Sequence, residues 1–187
     1  MNRIDVTMRI ETERLIIKPY GIEDLSECFH LMQDKILFRY LDMDVLSLVE
    51  YKRLFTWLID SYETTFDDDF RYSFNITLKE SGKHIGWCGI GVLDYDVSYK
   101  EIYYLIGQKY WNSGYAKEAT KALLDYGFNV IGLNEIVALC KKENIASQKV
   151  IKKVGFEFKY SVKGLPKEFD FYNGELYYSL NKKQYVK

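Results

Sequence analysis

One stretch, residues 102–119, constrains the fold more than any other part of the chain. It begins with an apolar run of two isoleucines, two tyrosines and a leucine, residue types that favour a β-strand. A small loop follows at residues 112–114. The next residues are apolar at helical spacing, and Gly132 stands where a helix C-terminus is expected. The stretch therefore predicts a strand, a tight loop and a helix whose buried face carries Tyr115, Ala119, Ala122, Leu123, Tyr126 and Val130.

The start of this helix is a candidate binding site for a phosphate or pyrophosphate. The first turn of a helix has backbone N–H groups without partners, and the helix dipole is positive there. Gly114 and Ala116 have almost no side chain, so a bulky anion can approach. A tight turn that binds nothing fits the spacing equally well. The stretch is neither a P-loop nor a dinucleotide fingerprint, since Gly-Lys-Ser/Thr and Gly-x-Gly-x-x-Gly are both missing from it.

Residues 110–119, Tyr-Trp-Asn-Ser-Gly-Tyr-Ala-Lys-Glu-Ala, resemble the acetyl-CoA pyrophosphate loop of the GNAT N-acetyltransferase superfamily. The nearest branch is that of the ribosomal-protein N-terminal alanine acetyltransferases. In the pattern Gln/Arg-x-x-Gly-x-Gly/Ala, Trp111 holds the first position, Gly114 the fourth and Ala116 the sixth. A Trp at the first position is usual in this branch. Asn112 stands where the branch often has Gly, and its side chain is expected to tighten the loop.

Two further blocks extend the resemblance over nearly the whole chain. Residues 144–156 are similar to the branch's Asn-x-x-Ser element that ends in Gly-Phe. Residues 11–15, Glu-Thr-Glu-Arg-Leu, followed by Asp24, look like the family's first strand and helix. The resemblance implies that acetyl-CoA is the cosubstrate, held by Leu105, Ile106, Gly107, Trp111, Asn112, Ser113, Gly114, Tyr115, Ala116, Asn144 and Ser147.

A direct transfer of the acetyl group to an amine is the expected reaction, because no nucleophile has a convincing base partner. Glu101 is the candidate base, since the family often has a carboxylate there; the alternative is a surface charge at a strand end. A backbone N–H near Leu105 or Ile106 would stabilise the oxyanion. Ser147 is the hydroxyl available to the leaving thiolate, or else a helix residue that satisfies backbone donors.

The element order predicts an α/β sandwich on one mixed, mostly antiparallel sheet. We expect seven strands and about four helices, the last two strands forming a hairpin over residues 156–162 and 169–180. The resemblance implies that strands 99–107 and 134–142 are parallel and splay apart, with the acyl-CoA arm in the gap. The length, 187 residues, suits one acetyltransferase domain over 1–187.

Composition excludes several classes. The net charge of −1 gives no attraction to nucleic acid, and no apolar run is long enough for a bilayer. The polar N-terminus lacks a signal-peptide core, so we expect a cytoplasmic protein. Cys28, Cys88 and Cys140 are expected to be buried free thiols. His30 and His84 lie in unrelated segments, so no metal site is expected.

The acceptor stays open at this stage. It is either a protein N-terminus, as for ribosomal-protein enzymes, or a small amine such as a polyamine, an amino acid or an aminoglycoside. Residues 67–69, three aspartates, predict a solvated turn, with attraction of a cationic amine as the alternative. A non-catalytic acyl-CoA sensor and an unrelated nucleotide-binding module are the competing functions. The chain is expected to be a monomer or a homodimer.

Overall fold

The computed structural model describes residues 2–185. Eight strands join one sheet, namely β1 (Ile10–Glu11), β2 (Leu15–Pro19), β3 (Arg71–Leu78), β4 (His84–Leu93), β5 (Asp96–Ile106), β6 (Glu135–Cys140), β7 (Glu157–Ser161) and β8 (Leu176–Asn181). The helices are α1 (Leu25–Leu31), α2 (Leu48–Asp60), α3 (Tyr115–Tyr126), α4 (Ile145–Lys153) and α5 (Lys182–Tyr185). Short 3-10 turns cover Ile22–Asp24, Lys35–Phe38, Ser61–Glu63, Gln108–Tyr110 and Lys167–Tyr172.

The strand order in the sheet is β1-β2-β3-β4-β5-β6-β8-β7, and every neighbouring pair is antiparallel except β5 and β6. The predicted mixed, mostly antiparallel sheet is therefore confirmed. It has eight strands where the sequence predicted seven. The additional strand, β1, is two residues long, too short for any alternation of side chains to reveal it in the sequence.

The parallel strands β5 and β6 separate almost at once, as expected. They share a single register pair, Glu101 with Val137. Beyond that point β6 pairs along its length with β8, while β5 stays paired with β4. The split between β5 and β6 therefore opens toward the C-terminal end of β5, where the loop to α3 begins.

Helices cover both faces of the sheet. The indole N–H of Trp87 on β4 donates to the sulfur of Met32, which follows α1, at 3.4 Å. On α3, the ring of Tyr126 meets that of Phe74 on β3 at 6.2 Å between centroids. Strand register places Phe74 beside Cys88, the neighbour of Trp87 on β4. Because consecutive side chains of a strand point to opposite faces, α1 and α3 lie on opposite sides of the sheet.

Helix α3 begins and ends where the sequence predicts, but one residue of its predicted buried face is wrong. The helix continues into a five-residue π-helical turn, Gly127–Ile131, and ends at Gly132, whose φ is +85°. A π-turn holds one extra residue, so it rotates the following side chains. Phe128 is fully buried as a result, whereas Val130 is 60% exposed.

Helix α4 is capped at both ends. The side chain of Asn144 accepts a hydrogen bond from the N–H of Ser147 at 3.1 Å, as an N-cap does. At the other end Gly155 has a φ of +105° and its N–H donates to the carbonyl of Lys152. The N–H of Phe156 donates to the carbonyl of Ile151 at 3.2 Å, which completes a Schellman motif.

The predicted last strand, residues 169–180, is wrong in its first half. Residues 167–172 form a 3-10 turn, and β8 begins at Leu176. The Asn173 side chain accepts from the N–H of Leu165 at 3.1 Å and donates to Asp170 at 3.0 Å, while Gly174 has a φ of +89°. These local hydrogen bonds compete with strand formation. Tyr177 and Tyr178 are buried in β8.

The three aspartates at residues 67–69 lie in an exposed turn, as predicted, where Asp68 accepts a hydrogen bond from the Thr65 hydroxyl at 2.7 Å. Within residues 2–185, no helix combines the length and the apolar character that a membrane crossing requires.

Candidate active site

A cavity of about 700 Å³ lies where the split between β5 and β6 begins. Its lining comes from strands β3, β4, β5 and β6, from helices α2 and α4, and from two segments outside the strands and α-helices. Those segments are residues 40–43, between α1 and α2, and residues 168–172, before β8. Tyr40 connects two walls, because its hydroxyl donates to the carbonyl of Glu143 at 3.3 Å.

Glu101 lies in this cavity at the closed end of the split, where β5 and β6 touch. Burial raises the pKa of its carboxyl to about 8, and the nearby carboxylates of Glu175 and Asp94 add to the increase. The guanidinium of Arg71 and the backbone N–H of Leu139 act in the opposite direction. A carboxyl with such a pKa exchanges a proton near neutral pH, as a general base must.

Two ion pairs surround Glu101. Lys141 lies 3.3 Å from Glu175, and its ammonium is 3.5 Å from the ring centre of Phe171. Arg71 pairs with Asp94 and also donates to the carbonyl of Val92 at 2.8 Å. Burial raises the pKa of Glu175, although the ammonium beside it opposes the change.

Backbone alternation selects which N–H groups of β5 face the split. The N–H of Gly107 donates to Ile85 on β4 at 2.8 Å, so this residue pair is hydrogen-bonded. In an antiparallel pair every second residue bonds to the partner strand, which assigns the N–H of Leu105 to β4. The N–H groups of Tyr104 and Ile106 then point into the split. The register favours these two over Leu105 as oxyanion donors.

Ser147, on α4, has a partner that the sequence did not reveal. Its Oγ lies 2.8 Å from the phenol oxygen of Tyr104 on β5, and both residues line the cavity. Burial raises the pKa of Tyr104, so the phenol keeps its proton throughout the neutral range. The two hydroxyls form a short chain across the split. Asn144, one turn earlier, uses its oxygen to cap α4, which leaves its side-chain N–H groups to face the cavity.

The loop from β5 to α3 has the backbone shape of an anion cradle. Asn112 has a φ of +61° and Gly114 a φ of +85°. Asn is among the few side chains that tolerate this left-handed region, which explains why it can stand where relatives use Gly. In the described part of the chain, the backbone N–H groups of residues 112–117 donate to no protein atom. They are available to a pyrophosphate, so the loop fits the cosubstrate that the resemblance implies.

Arg14, the residue before β2, connects this loop to the N-terminal part of the chain. Its Nη1 donates to the carbonyl of Ser113 at 2.9 Å, and its Nε donates to Glu118, in the first turn of α3, at 2.8 Å. The guanidinium also lies 4.5 Å from the ring centre of Tyr115. Burial alone would raise the pKa of Glu118, but hydrogen bonds from Thr12 and Arg14 lower it, so the carboxylate stays charged.

The other predicted residues of the loop have structural partners. The indole N–H of Trp111 donates to the carbonyl of Ile106 at 2.6 Å and so joins the loop to the end of β5. Gly107 is buried, and a Cβ there would lie 2.7 Å from the Leu31 side chain. Ala116 is half-buried, and its carbonyl accepts from the Thr120 hydroxyl at 2.7 Å.

The structure therefore brings the predicted residues together in two groups. Glu101, Asn144 and Ser147 line the cavity, whereas residues 111–116 form the cradle at the open end of the split. Five further contributors, missed as site residues in the sequence, come from distant segments. Their only sequence signal is charge or a hydroxyl group, which many surface residues share; they are Arg14, Arg71, Tyr104, Lys141 and Glu175.

Neither a metal cluster nor a disulfide occurs among residues 2–185. The three cysteines are buried free thiols, as expected, and burial raises the pKa of each.

An anion cradle and a half-buried carboxylate at the two ends of a split sheet fit an acyltransferase that uses an acyl-CoA. The family model described as "Acetyltransferase (GNAT) domain" matches residues 14–157, and the chain belongs to this family. It is an N-acetyltransferase, and the family transfers acetyl groups from acetyl-CoA to amines.

Relatives agree with this assignment. The uncharacterized N-acetyltransferase p20 of Bacillus licheniformis is 29% identical over 94% of this chain and 97% of its own length. The spermidine N(1)-acetyltransferase of Escherichia coli K12 is 28% identical over 85% of this chain and 79% of its own. The structure of RimJ from Mycobacterium smegmatis, in complex with CoA-disulfide, has the same fold, with a TM-score of 0.74, 19% identity and coverage of 92% and 84%.

Proposed function

We propose that this enzyme transfers the acetyl group to a primary amine in one step, with Glu101 as the base. The neutral amine attacks the thioester carbonyl, so an N–C bond forms and the C–S bond breaks. Glu101 first takes a proton from the bound ammonium, which gives this neutral amine, and passes it to solvent. After the attack the nitrogen loses its second proton to the same carboxylate, and the thiolate leaves with a proton from the hydroxyl chain of Ser147 and Tyr104, which solvent replaces. The N–H of Ile106 or that of Tyr104 stabilises the oxyanion between these events.

One observation carries this proposal. Glu101 is the residue at which β5 and β6 last touch, and its pKa of about 8 allows it to accept a proton from a bound ammonium. Any acyl group delivered along the split must end beside it. The hydroxyls of Ser147 and Tyr104 lie on the opposite side of the same opening, where the sulfur would leave.

The cradle is proposed to hold the CoA part of the cosubstrate. The free N–H groups of residues 112–117 would bind the pyrophosphate, with Trp111, Ser113, Gly114, Tyr115 and Ala116 forming its wall. Farther along the split, Asn144 would bond the pantetheine arm beside Leu105, Ile106 and Gly107. We also propose a cytoplasmic enzyme consisting of one domain over 1–187, as a monomer or a homodimer.

Two acceptor classes remain as proposals. The resemblance of the loop to ribosomal-protein enzymes favours a protein N-terminus. The spermidine enzyme among the relatives favours a small amine.

Release of the CoA thiol from acetyl-CoA tests the proposal, with a panel of peptides and small amines as acceptors. We expect Glu101→Gln to lower kcat/KM by about 10²- to 10⁴-fold without loss of acetyl-CoA binding. Glu157→Gln, an exposed strand carboxylate outside the cavity, serves as the control. Full activity of the Glu101→Gln enzyme would remove this residue from the mechanism.

A further inference from the structure

The cavity wall changes character along the strands. On β5, Glu101 pairs with Gly91 of β4, and Leu105 pairs with Trp87. Four residues of strand separate these two rows, which corresponds to about 13 Å along the sheet. Glu101 and Trp87 both line the cavity, so its floor extends from one row to the other.

The end near Glu101 contains charged groups that already have partners. Arg71 is paired with Asp94, and Lys141 with Glu175. Both cations are therefore compensated inside the protein, whereas Glu101 faces the cavity without an ion-pair partner of its own among the described residues. This end suits a single ammonium group and offers no cation to a substrate carboxylate.

The other end is apolar. The ring of Tyr103 covers β4 at Gly89, where a Cβ would lie 2.1 Å from it, and meets the indole of Trp87 at 5.9 Å between centroids. The indole N–H is used by the sulfur of Met32. Leu54 and Leu58 of α2, both half-buried, also line the cavity.

The polar atoms at the apolar end are neutral. Tyr20 and Tyr51 line the cavity there, and burial raises the pKa of each phenol, so neither hydroxyl supplies a negative charge. Asp42, in the segment between α1 and α2, also lines the cavity. Its side chain is exposed, and water screens its attraction for a cation.

We propose that the acceptor is a primary amine with a single apolar chain or ring, its nitrogen at Glu101 and its apolar part against Trp87, Leu54 and Leu58. The inference rests on the proposed function and names the substrate class of the same site. A second ammonium group would lose its hydration at the apolar end without gaining a carboxylate. An α-carboxylate would meet Glu101 and Glu175 at the charged end, because both local cations are paired.

Three acceptors of similar length separate the classes: hexylamine, cadaverine and norleucine. We expect kcat/KM for hexylamine, measured by CoA thiol release, to exceed the other two by at least about tenfold. From propylamine to hexylamine it should rise by about fourfold per methylene, the effect of burying that group.

Introducing a charge into the cavity wall tests where the apolar part of the acceptor binds. Leu54→Asp places a carboxylate at the apolar end, so it should shift the preference from hexylamine toward cadaverine. Thr56→Asp, exposed on the same helix, is the matched control and should keep the wild-type preference.

The possible failures are distinguishable. Equal use of cadaverine or spermidine by the wild-type enzyme would overturn this substrate class while leaving amine acetylation intact, as would a preference for peptides. An unchanged preference in Leu54→Asp would overturn the assigned wall. If no amine or peptide releases CoA, the proposed function itself fails.

Discussion

At the scale of single residues, the arrangement of carboxyl groups determines the pH behaviour of the site. Glu101 occupies a buried position next to Glu175, and both effects favour its protonated form. As the proposed base, Glu101 would be inactive at low pH because it already holds a proton. The reaction should therefore become faster as the pH rises through the pKa of Glu101.

We expect kcat/KM to rise with pH through an apparent pKa of about 8. Glu175→Gln removes the neighbouring charge, so the rise should move to lower pH, and pH–rate profiles of both enzymes check this. Glu101→Gln should raise the free energy of unfolding more at pH 9 than at pH 5. At pH 9 the wild-type carboxyl must ionise in its desolvated position, which destabilises the folded state. An identical profile for Glu175→Gln would contradict the coupling.

Ser147 and Tyr104 should act as one unit. Ser147→Ala is expected to lower kcat by about 10- to 100-fold, the effect of a hydrogen bond to a charged leaving group, with little change in acetyl-CoA Kd. Tyr104→Phe should lower kcat as well. The double variant should lose less than the product of the two single losses, because the hydroxyls share one chain. Multiplicative losses would show that the two hydroxyls act independently.

At the scale of structural elements, the loop between β5 and α3 depends on two left-handed residues and a distant arginine. Asn112 and Gly114 turn the backbone so that its N–H groups face outward. Arg14, on the chain before β2, holds the carbonyl of Ser113 and the carboxylate of Glu118. Arg14 and Glu118 therefore form a brace, a pair of contacts that holds the cradle against the segment before β2.

Gly114→Val should lower the affinity for acetyl-CoA at least tenfold, since the residue has a φ of +85° and its Cβ would lie 3.3 Å from Arg14. Calorimetric titration of acetyl-CoA, with ATP and NAD as comparison ligands, measures this. Gly164→Val is the matched control: its φ is +74°, and a Cβ there meets nothing within 4 Å. Both variants should lose stability from backbone strain, but only the first should lose affinity.

At the scale of the whole molecule, a buried histidine makes folding sensitive to acid. The Nδ1 of His84 lies 2.7 Å from the amide oxygen of Asn75, and its Nε2 has no hydrogen-bond partner among residues 2–185. Burial lowers the pKa of His84 to about 4, although the carboxylate of Asp24 opposes the change. Between this pKa and the ordinary histidine pKa of about 6.5, the folded state therefore holds fewer protons than the unfolded state.

The free energy of unfolding should fall by about 3 kcal/mol as the pH drops from about 6.5 to 4, through this group alone. Denaturant titrations at several pH values check the slope, which His84→Gln should reduce. His30→Gln, an exposed histidine on α1, should keep the wild-type slope. A slope that is the same in wild type and His84→Gln would assign the acid sensitivity to other groups.

Local patterns were sufficient for most elements of the fold and for the cradle. Gly114, Gly132, Asn144 and Gly155 carry their conformations in their own chemistry, so the helix ends they set were predictable. The position of Val130 was not, because a π-turn arises from packing rather than from helical spacing. The same holds for residues 169–172, where side-chain hydrogen bonds replaced a strand.

The sequence by itself determined the family, the order of the elements and the residues of the cradle, because these depend on neighbours in the chain. Tertiary structure alone decided the chemistry of the cavity. The charged end joins Arg71, Glu101, Lys141 and Glu175 from four strands or their ends, and the brace joins residues 14 and 118. A carboxyl acquires a pKa of about 8 only from burial and from charges beside it, and both are properties of packing between distant segments.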